Sequence, residues 1–337
     1  MSNAMLTTVL DGPDRIALRE SQVPELDHDK VLVKVTLCGI CGSDVAAYQG
    51  TIARSFPYSP GHEFCGTIAA IGDTVEGLEP GNRVVIDPNL GCGDCSFCRA
   101  NKPHLCDFLK TRPVKSNGGL SEWVVLDSRM VHVLPDALSD ELAVYVEPMS
   151  CAIHACRRAE IRRNSRVAVF GAGTMGILTA MAADSYGADA TIVELSEERI
   201  RQSSGIPGLK IISSSRFNDQ VKSEPIEIVI DCSGSAEALS QGIRSLRKGG
   251  RLILLSLVKN TTGTAMPLSE ITNKELEIRG TWLNPCAFPE AITLVTKHAA
   301  ALDALTTRVF ALTDVAEAFA CAASREVQKV VVRTSMK

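Results

Sequence analysis

The strongest constraint on the fold is a glycine-rich turn that joins an apolar strand to a helix. Gly171 directly follows the run RVAVF, and Gly173 and Gly176 complete the pattern G-x-G-x-x-G as the helical run MGILTAMAA begins. Such a turn lets the backbone approach a pyrophosphate, and the helix that it opens presents N–H groups to the phosphates. The pattern alone arises by chance, but strand, turn and helix stand here in the order that dinucleotide binding needs.

Strands and helices alternate over residues 151–284. The runs DATIVEL, IEIVIDCSG and GRLILLSL are typical of buried strands, and SEERIRQSS and AEALSQGIRSL are typical of helices. Alternation at these lengths predicts a doubly wound parallel sheet, so we expect the cofactor domain to cover this range.

The chain before residue 150 contains short strand-like runs separated by Gly and Pro, a pattern that predicts a partly open β-barrel. We expect a first domain over 5–150, completed by the tail over 285–337, which includes the run KVVVRT. Residues 1–4 resemble the remnant of an expression tag. The predicted strands are VLVKVTL (31–37), CGTIAAIG (65–72), RVVID (83–87) and SEWVVL (121–126).

Composition excludes several classes of function. The chain has 337 residues, a net charge of -4 and 12 cysteines. The charge gives no basic surface for nucleic acid, and no apolar run is long enough to cross a bilayer. Because the start of the sequence has no secretory pattern, the cysteines favour a reducing, cytoplasmic location.

Four of the cysteines form one short pattern, C-x2-C-x2-C-x7-C. Thiolates at such intervals can close a tetrahedron around a structural Zn²⁺. The alternatives are disulfides, which secretion would favour, and an iron–sulfur cluster, whose bacterial ferredoxin spacing differs from this one. The predicted ligands are Cys92, Cys95, Cys98 and Cys106.

An acidic residue follows the glycine turn at the distance that NAD binding requires. Glu194 ends the next strand, 18 residues beyond Gly176, and can accept hydrogen bonds from the ribose hydroxyls. It would repel the 2′-phosphate of NADP, so NAD(H) is expected over NADP(H), although Arg199 could turn toward a phosphate. Thr174 and Met175 lie in the turn. The alternative is a glycine turn that binds no cofactor.

Six motifs occur in the order found in one enzyme family: CGICGSD, GHEFCG, GCGDCSFC, GGLSEW, EPMSCAIHACRR and GAGTMG. Through them the chain resembles the zinc-dependent medium-chain dehydrogenase/reductase family, and most closely its polyol (sorbitol-like) dehydrogenase branch. The resemblance implies an α/β protein with a GroES-like, partly open β-barrel catalytic domain and a Rossmann doubly wound domain. It also implies a homodimer or homotetramer.

The resemblance implies a second, catalytic zinc, giving two per chain. Asp44 would hydrogen-bond a ligand histidine, and Ser43 would pass the substrate proton outward. Zinc lowers the pKa of a bound alcohol, whose carbon then gives hydride to NAD⁺. The implied ligands, direct or through water, are Cys41, His62, Glu63 and Glu147.

Two departures from the family bear on the reaction. Ala46 stands where many members have a relay histidine, and Leu283-Asn284 replace an Arg-Tyr pair of sorbitol dehydrogenases. The resemblance implies interconversion of a secondary alcohol of a polyol, polyol phosphate or sugar-derived alcohol and its ketone, and the departures argue against sorbitol itself as the substrate. The alternatives are an L-threonine 3-dehydrogenase-like enzyme and, in another class, a non-catalytic nucleotide-binding protein on the same fold.

Overall fold

The computed structural model describes residues 4–52, 55–111, 118–256, 266–305 and 307–334. The chain divides into two compact units. The first comprises Met1–Glu147, Phe288–Thr296 and Thr306–Lys337, and the second comprises Pro148–Ala287 and Lys297–Leu305. No helix in the described ranges is long and apolar enough to cross a membrane.

The described strands are numbered in chain order. They are β1 (Ala4–Gly12), β2 (Arg15–Gln22), β3 (Lys30–Gly39), β4 (Glu63–Ile71), β5 (Arg83–Ile86), β6 (Asn89–Leu90), β7 (Lys110–Thr111), β8 (Trp123–Asp127), β9 (Val131–Val133), β10 (Arg166–Phe170), β11 (Asp189–Glu194), β12 (Ile211–Ser213), β13 (Ile226–Asp231), β14 (Leu246–Leu254), β15 (Glu277–Gly280), β16 (Thr307–Ala311) and β17 (Lys329–Arg333).

The described α-helices are numbered in the same way. They are α1 (Gly42–Tyr48), α2 (Ser96–Arg99), α3 (Asp140–Ala143), α4 (Val146–Arg158), α5 (Thr174–Ser185), α6 (Glu197–Ser203), α7 (Ser214–Ser223), α8 (Ala236–Ser245), α9 (Leu268–Asn273), α10 (Phe288–Lys297), α11 (Ala299–Asp303) and α12 (Val315–Ser324). Short 3₁₀ turns cover Pro103–Leu105, Ser128–Met130 and Leu312–Asp314.

The first unit is built on a seven-stranded sheet in the order β16-β17-β3-β4-β5-β9, with β8 also paired to β3. Every second residue of β3 points into the core, and Val31, Val33 and Val35 are fully buried. This period of two fixes the register of β3 against both neighbours, because a slip of one residue would expose these valines. The sheet and its mostly antiparallel pairing confirm the predicted barrel-type fold class.

The second unit is a parallel sheet in the order β12-β11-β10-β13-β14-β15. Its central strands are buried on both faces, as the continuous apolar runs predicted. The strand order reverses between β10 and β13, and ligands of open parallel sheets bind at the carboxyl ends of the strands at such a reversal. This architecture confirms the predicted Rossmann fold.

Two details differ from the expectations. Ala4, assigned to the tag remnant, begins β1 and pairs with Gln22 in a hairpin that we did not predict. The tail was expected to join the first domain throughout 285–337, but Lys297–Leu305 belongs to the second unit. There His298 Nε2 lies 2.9 Å from the hydroxyl of Ser185 on α5, a polar contact without a sequence signature.

Candidate active site and metal centres

The four cysteines of the spacing motif converge on one point. Their sulfur atoms all lie within 4.8 Å of one another. Short elements make this possible: α2 follows Cys95, a 3₁₀ turn precedes Cys106, and β6 pairs with β7 to close the loop. A Cβ at Gly91 would lie only 2.9 Å from the sulfur of Cys98. The glycine therefore leaves room for the cysteine cluster.

Backbone N–H groups in this loop point at sulfur, which stabilises thiolates. Cys92 Sγ accepts from the amides of Asp94 (3.4 Å) and Cys95 (3.3 Å), and Cys106 Sγ accepts from Phe108 N at 3.3 Å. The backbone hydrogen bond of Cys98 lowers the pKa of Cys95 to about 6. The pKa of Cys92 is lowered as well, whereas desolvation raises the pKa of Cys98 to about 12. Thiolates are the form that ligates a metal, so the loop predisposes two of its four sulfurs to bind one.

A second group of metal-binding side chains lies in the first unit. The ligand atoms of Cys41, His62 and Glu63 lie within 4.8 Å of one another. Cys41 caps the N-terminus of α1, just beyond β3, and Glu63 opens β4, which pairs with β3. The adjacent ends of two neighbouring strands therefore bring together Cys41 and Glu63, which are 22 positions apart.

Asp44 organises this group from a fully buried position. Its Oδ2 accepts from Cys41 N at 3.1 Å and lies 3.5 Å from His62 Nδ1, and its Oδ1 accepts from Gly61 N at 3.5 Å. Contact through Nδ1 makes Nε2 the ring nitrogen that would coordinate an ion. Burial acts to lower the pKa of His62, but the charges of Asp44 and Cys41 outweigh it and hold that pKa well above its ordinary value.

Glu147 lies outside the group formed by Cys41, His62 and Glu63, but the charges of His62 and Glu63 affect its pKa. It is buried near the start of α4. Burial raises the pKa of Glu147 to about 7, with the charges of Glu63 and Asp87 acting in the same direction and His62 opposing them. Burial also raises the pKa of Asp87 to about 6. Several buried acids thus surround the site, a charge distribution that favours a bound cation.

Sequence reasoning missed Lys329. This lysine begins β17, is only 4% exposed, and forms an ion pair with Glu63 Oε2. A lysine in the run KVVVR looks like an ordinary strand-end charge, so the only signal was its neighbourhood in the folded sheet.

The side chains at the departures from the family lie in packed surroundings. Ala46 is 4% exposed, and Tyr48 packs edge-on against Phe319 at a centroid distance of 5.4 Å. Asn284, which is 1% exposed, donates from its amide to Ser150 Oγ at 2.8 Å. The carboxamide of Asn284 is thus committed to an internal hydrogen bond. Ser43 is half-buried in the first turn of α1.

The glycine turn of the second unit has the form its sequence predicted. Gly171 adopts a φ of 104°, in the left-handed region that favours glycine. A Cβ at Gly176 would lie 1.8 Å from the carbonyl oxygen of Gly171, whereas a Cβ at Gly173 would meet nothing within 4 Å. Gly173 therefore faces an open cradle before α5, which begins at Thr174 and continues with Met175.

Glu194 ends β11 and is held by three backbone amides. Its Oε2 accepts from Ala172 N at 2.7 Å, and its Oε1 accepts from Leu195 N (2.8 Å) and Ser196 N (2.9 Å). Arg199 Nη1 lies 3.9 Å from Glu194 Oε2. The carboxylate is thus fixed beside the glycine turn, with an arginine within reach of the same place.

A second buried carboxylate, which sequence reasoning missed, lies across the reversal of the sheet. Asp231 ends β13 and is 1% exposed. Its Oδ1 accepts from the amide (3.0 Å) and hydroxyl (2.6 Å) of Ser233, and its Oδ2 accepts from the hydroxyl of Ser256 at 2.6 Å. The Ser233 turn that it fixes is the nearest neighbour of a Cβ placed at Gly171. Only one of these serine partners, Ser233, lies in the string DCSGS that ends the strand, since Ser256 lies 25 positions after the acid.

Comparison with known proteins matches both units. The family profile "Alcohol dehydrogenase GroES-like domain" matches residues 27–136, and the profile "Zinc-binding dehydrogenase" matches residues 174–297. Sorbitol dehydrogenase of Bacillus subtilis (strain 168) is 30% identical over 315 residues, which cover 87% of this chain and 88% of that protein.

Two solved structures extend the likeness to the fold. A zinc-binding dehydrogenase of Sinorhizobium meliloti 1021, bound to NADP, aligns with a TM-score of 0.88 at 28% identity, covering 98% of this chain and 99% of that one. Galactitol-1-phosphate dehydrogenase of Escherichia coli aligns with a TM-score of 0.86 at 25% identity, covering 98% and 100%. The chain belongs to the zinc-type medium-chain dehydrogenases, in their polyol dehydrogenase branch.

Proposed function

We propose that the chain is a zinc-dependent, NAD(H)-linked oxidoreductase that interconverts a secondary alcohol of a polyol, polyol phosphate or sugar-derived alcohol and its ketone. The observation that carries the proposal is the convergence of Cys41, His62 and Glu63 within 4.8 Å. One soft sulfur, one imidazole and one carboxylate are a donor set that zinc accepts with a coordination position left open.

The surroundings fit a divalent cation at this place. Cys41, Asp44, Glu63 and Glu147 bring several potential negative charges into a mostly buried volume, and Lys329 offsets only one of them. Buried charges are costly unless they are paired or coordinate a metal. Glu147 lies outside the 4.8 Å group, which favours a contact with the ion through water.

The chain's own residues then have separate tasks. When bound, zinc would supply a Lewis acid for the substrate oxygen and NAD⁺ would supply the hydride acceptor. Asp44 fixes the tautomer and orientation of His62. Ser43, half-buried in the turn that follows Cys41, is the hydroxyl for the substrate proton. With Ala46 in the relay position, the proton would leave through water or the cofactor ribose.

The glycine turn and its acid favour NAD(H). Gly173 opens the cradle for the pyrophosphate, and the three amides on Glu194 hold its charge at the position where a 2′-phosphate would lie. Arg199, 3.9 Å from that carboxylate, is the residue that could offset the repulsion, and a family member does bind NADP. The ratio of kcat/KM for NAD⁺ and NADP⁺ tests the preference.

The substrate is addressed by a panel of polyols, polyol phosphates, sugar acids and L-threonine with NAD⁺. Because the amide of Asn284 is committed to Ser150, it would not replace the Arg-Tyr pair of sorbitol dehydrogenases, so sorbitol is expected to be a poor substrate. The relative that acts on galactitol 1-phosphate makes polyol phosphates the first class to test. Turnover of L-threonine alone would refute the polyol proposal.

Metal analysis combined with substitution tests the proposed centre. The wild-type protein should hold about two zinc ions per chain, following the closed and open site rule. Cys41→Ser should lose one ion and all turnover while keeping the fold. Cys38→Ser is the matched control, since Cys38 lies three residues earlier in the apolar core. Retained turnover in Cys41→Ser would refute the mechanism.

We also propose a homodimer or homotetramer in the cytoplasm. The edge strand β15 leaves Ile278 37% exposed, and Trp282 just beyond it is 51% exposed. Light scattering coupled to size exclusion measures the assembly, and fractionation of the source cells measures the location.

A further inference from the structure

The buried ion pair between Lys329 and Glu63 is not needed by the reaction as described so far. The two side chains are each 3% exposed, and they come from strands at opposite ends of the chain. A buried charge pair contributes little net stability compared with an apolar pair of similar size, so its presence beside a metal site calls for a functional reason.

The sheet explains how the pair forms. β3 lies between β17 and β4, with Gly39 of β3 paired to Val331 on one side and to Glu63 on the other. Lys329 is two residues before Val331 and thus on the same face. A Cβ at Gly39 would lie 2.6 Å from Glu63 Oε2 and 2.7 Å from Lys329 Cε. The absent side chain of Gly39 is therefore the gap through which the lysine crosses the middle strand.

The ammonium group is fixed on its other side as well. Lys329 Nζ lies 5.8 Å from the centroid of the Tyr145 ring, within the range of a cation–π contact. The hydroxyl of Tyr145 lies 3.1 Å from the hydroxyl of Thr307 on β16. The lysine is thus placed by β16, β17 and the glycine gap together, rather than lying at a flexible surface.

We propose that Lys329, reaching across Gly39, is a positioning residue that restrains Glu63 so that it offers the metal at most one carboxylate oxygen. This inference rests on the proposed function. One oxygen of Glu63 is committed to Lys329, while a carboxylate oxygen of the same residue lies within 4.8 Å of the Cys41 and His62 ligand atoms. Without the lysine, both carboxylate oxygens of Glu63 would be able to bind the ion. The second oxygen would then occupy the coordination position that the substrate needs.

Lys329→Met tests the proposal with zinc or cobalt alone as the probe. Loss of the positive charge should make the Cys41 centre bind metal about tenfold or more tightly, measured by chelator competition. The Cys41-dependent part of the cobalt(II) spectrum should weaken, as expected for a higher coordination number, and kcat should fall more than KM changes. Unchanged or weaker metal affinity with an unchanged cobalt spectrum would assign Lys329 a merely structural role.

Three further variants keep the test decisive. Lys329→Arg retains the cation and should keep the wild-type affinity and spectrum. Gly39→Ala, whose Cβ would displace Lys329 and Glu63 Oε2 together, should change the cobalt(II) spectrum. If Lys329→Met does not fold, the double variant Lys329→Met/Glu63→Gln removes both charges, and its cobalt(II) spectrum should equal that of Glu63→Gln, because the lysine acts on the coordination only through Glu63. A difference between these two would overturn the proposal.

The same measurements separate this inference from the proposed function. If Cys41→Ser leaves the cobalt spectrum unchanged, the catalytic centre itself is wrong. If the spectrum depends on Cys41 but not on Lys329, only the positioning role fails.

Discussion

Replacing Gly173 by alanine should weaken cofactor binding strongly without disturbing the fold. The residue has a φ of −79° and a ψ of 178°, which alanine adopts freely, and a Cβ there meets nothing within 4 Å. Alanine caps a helix less well than glycine, which lowers the free energy of unfolding. Alanine also reduces the conformational entropy of the unfolded chain, which raises the free energy of unfolding by a similar amount. The free energy of unfolding should therefore stay within about 0.5 kcal/mol of the wild-type value.

Binding should respond differently, because the added methyl group fills the cradle. Displacing the pyrophosphate from two amides costs two charge-assisted hydrogen bonds, or about 3 kcal/mol at the low end of their range. That value corresponds to a Kd for NADH that is about 150-fold higher. Titration of NADH fluorescence gives the Kd, and urea unfolding of the cofactor-free protein gives the stability.

Gly176→Ala is the matched comparison. Its Cβ would lie 1.8 Å from the Gly171 carbonyl oxygen, so the backbone must move. Overpacking of this kind costs about 3 kcal/mol, of which the better helix propensity of alanine returns about 1 kcal/mol. An unchanged NADH affinity in Gly173→Ala, or an equal loss of stability in both variants, would refute the assignment of this turn.

Three further predictions concern other sites. Cys98→Ser should lose one of two zinc ions and lower the melting temperature of the protein. Cys286→Ser, at an exposed position outside both clusters, should keep both zinc ions. Elemental analysis and thermal melting measure these effects, and two retained zinc ions in Cys98→Ser would contradict the four-sulfur site. Burial raises the pKa of Asp87 from 3.8 to about 6, so the unfolded state ionises first and the stability of the metal-free protein should fall by about 2 kcal/mol between pH 4 and pH 6. Glu147, whose pKa burial raises to about 7, acts in the same direction, so Asp87→Asn should reduce the dependence in urea titrations and leave the part due to Glu147; an unchanged slope would show that Asp87 does not cause it. Asp231→Asn should raise the Kd for NADH by about tenfold, because a neutral amide holds the Ser233 turn less firmly; Glu237→Gln, in the first turn of α8, should not, and equal effects of the two would refute a local role for Asp231.

Local sequence patterns were sufficient to predict the structure where residues close in sequence are also close in space. The glycine turn, the strands around it and the four-cysteine loop each occupy a short segment, so spacing alone predicted their structures. The hairpin of β1 and β2 was missed although Gly12-Pro13 marks its turn, where Asp14 adopts a φ of 56°.

The rest of the site could not be predicted from periodicity, because it depends on strand pairing. Cys41 and Glu63 meet through the register of β3 against β4, and Lys329 reaches them only because β17 lies on the other side of β3. Family resemblance supplied the ligand names, but neither resemblance nor spacing indicated the lysine or the gap at Gly39. Asp231 was equally hidden, since a buried acid at a strand end is recognisable only once its serine partners fold back onto it.

The two groups of metal-binding residues differ in how much of the chain must fold before each exists. The cysteine loop, closed by the pairing of β6 with β7, lies within residues 89–111, so it can capture an ion soon after that segment has been synthesised. The Cys41 centre acquires its lysine 266 positions after Glu63, when β17 docks beside β3. Closing so long a loop is slow and comes late in folding. Metal loading should therefore be ordered in time: the structural ion comes first, and the site for chemistry is completed only when the last strand of the sheet has docked.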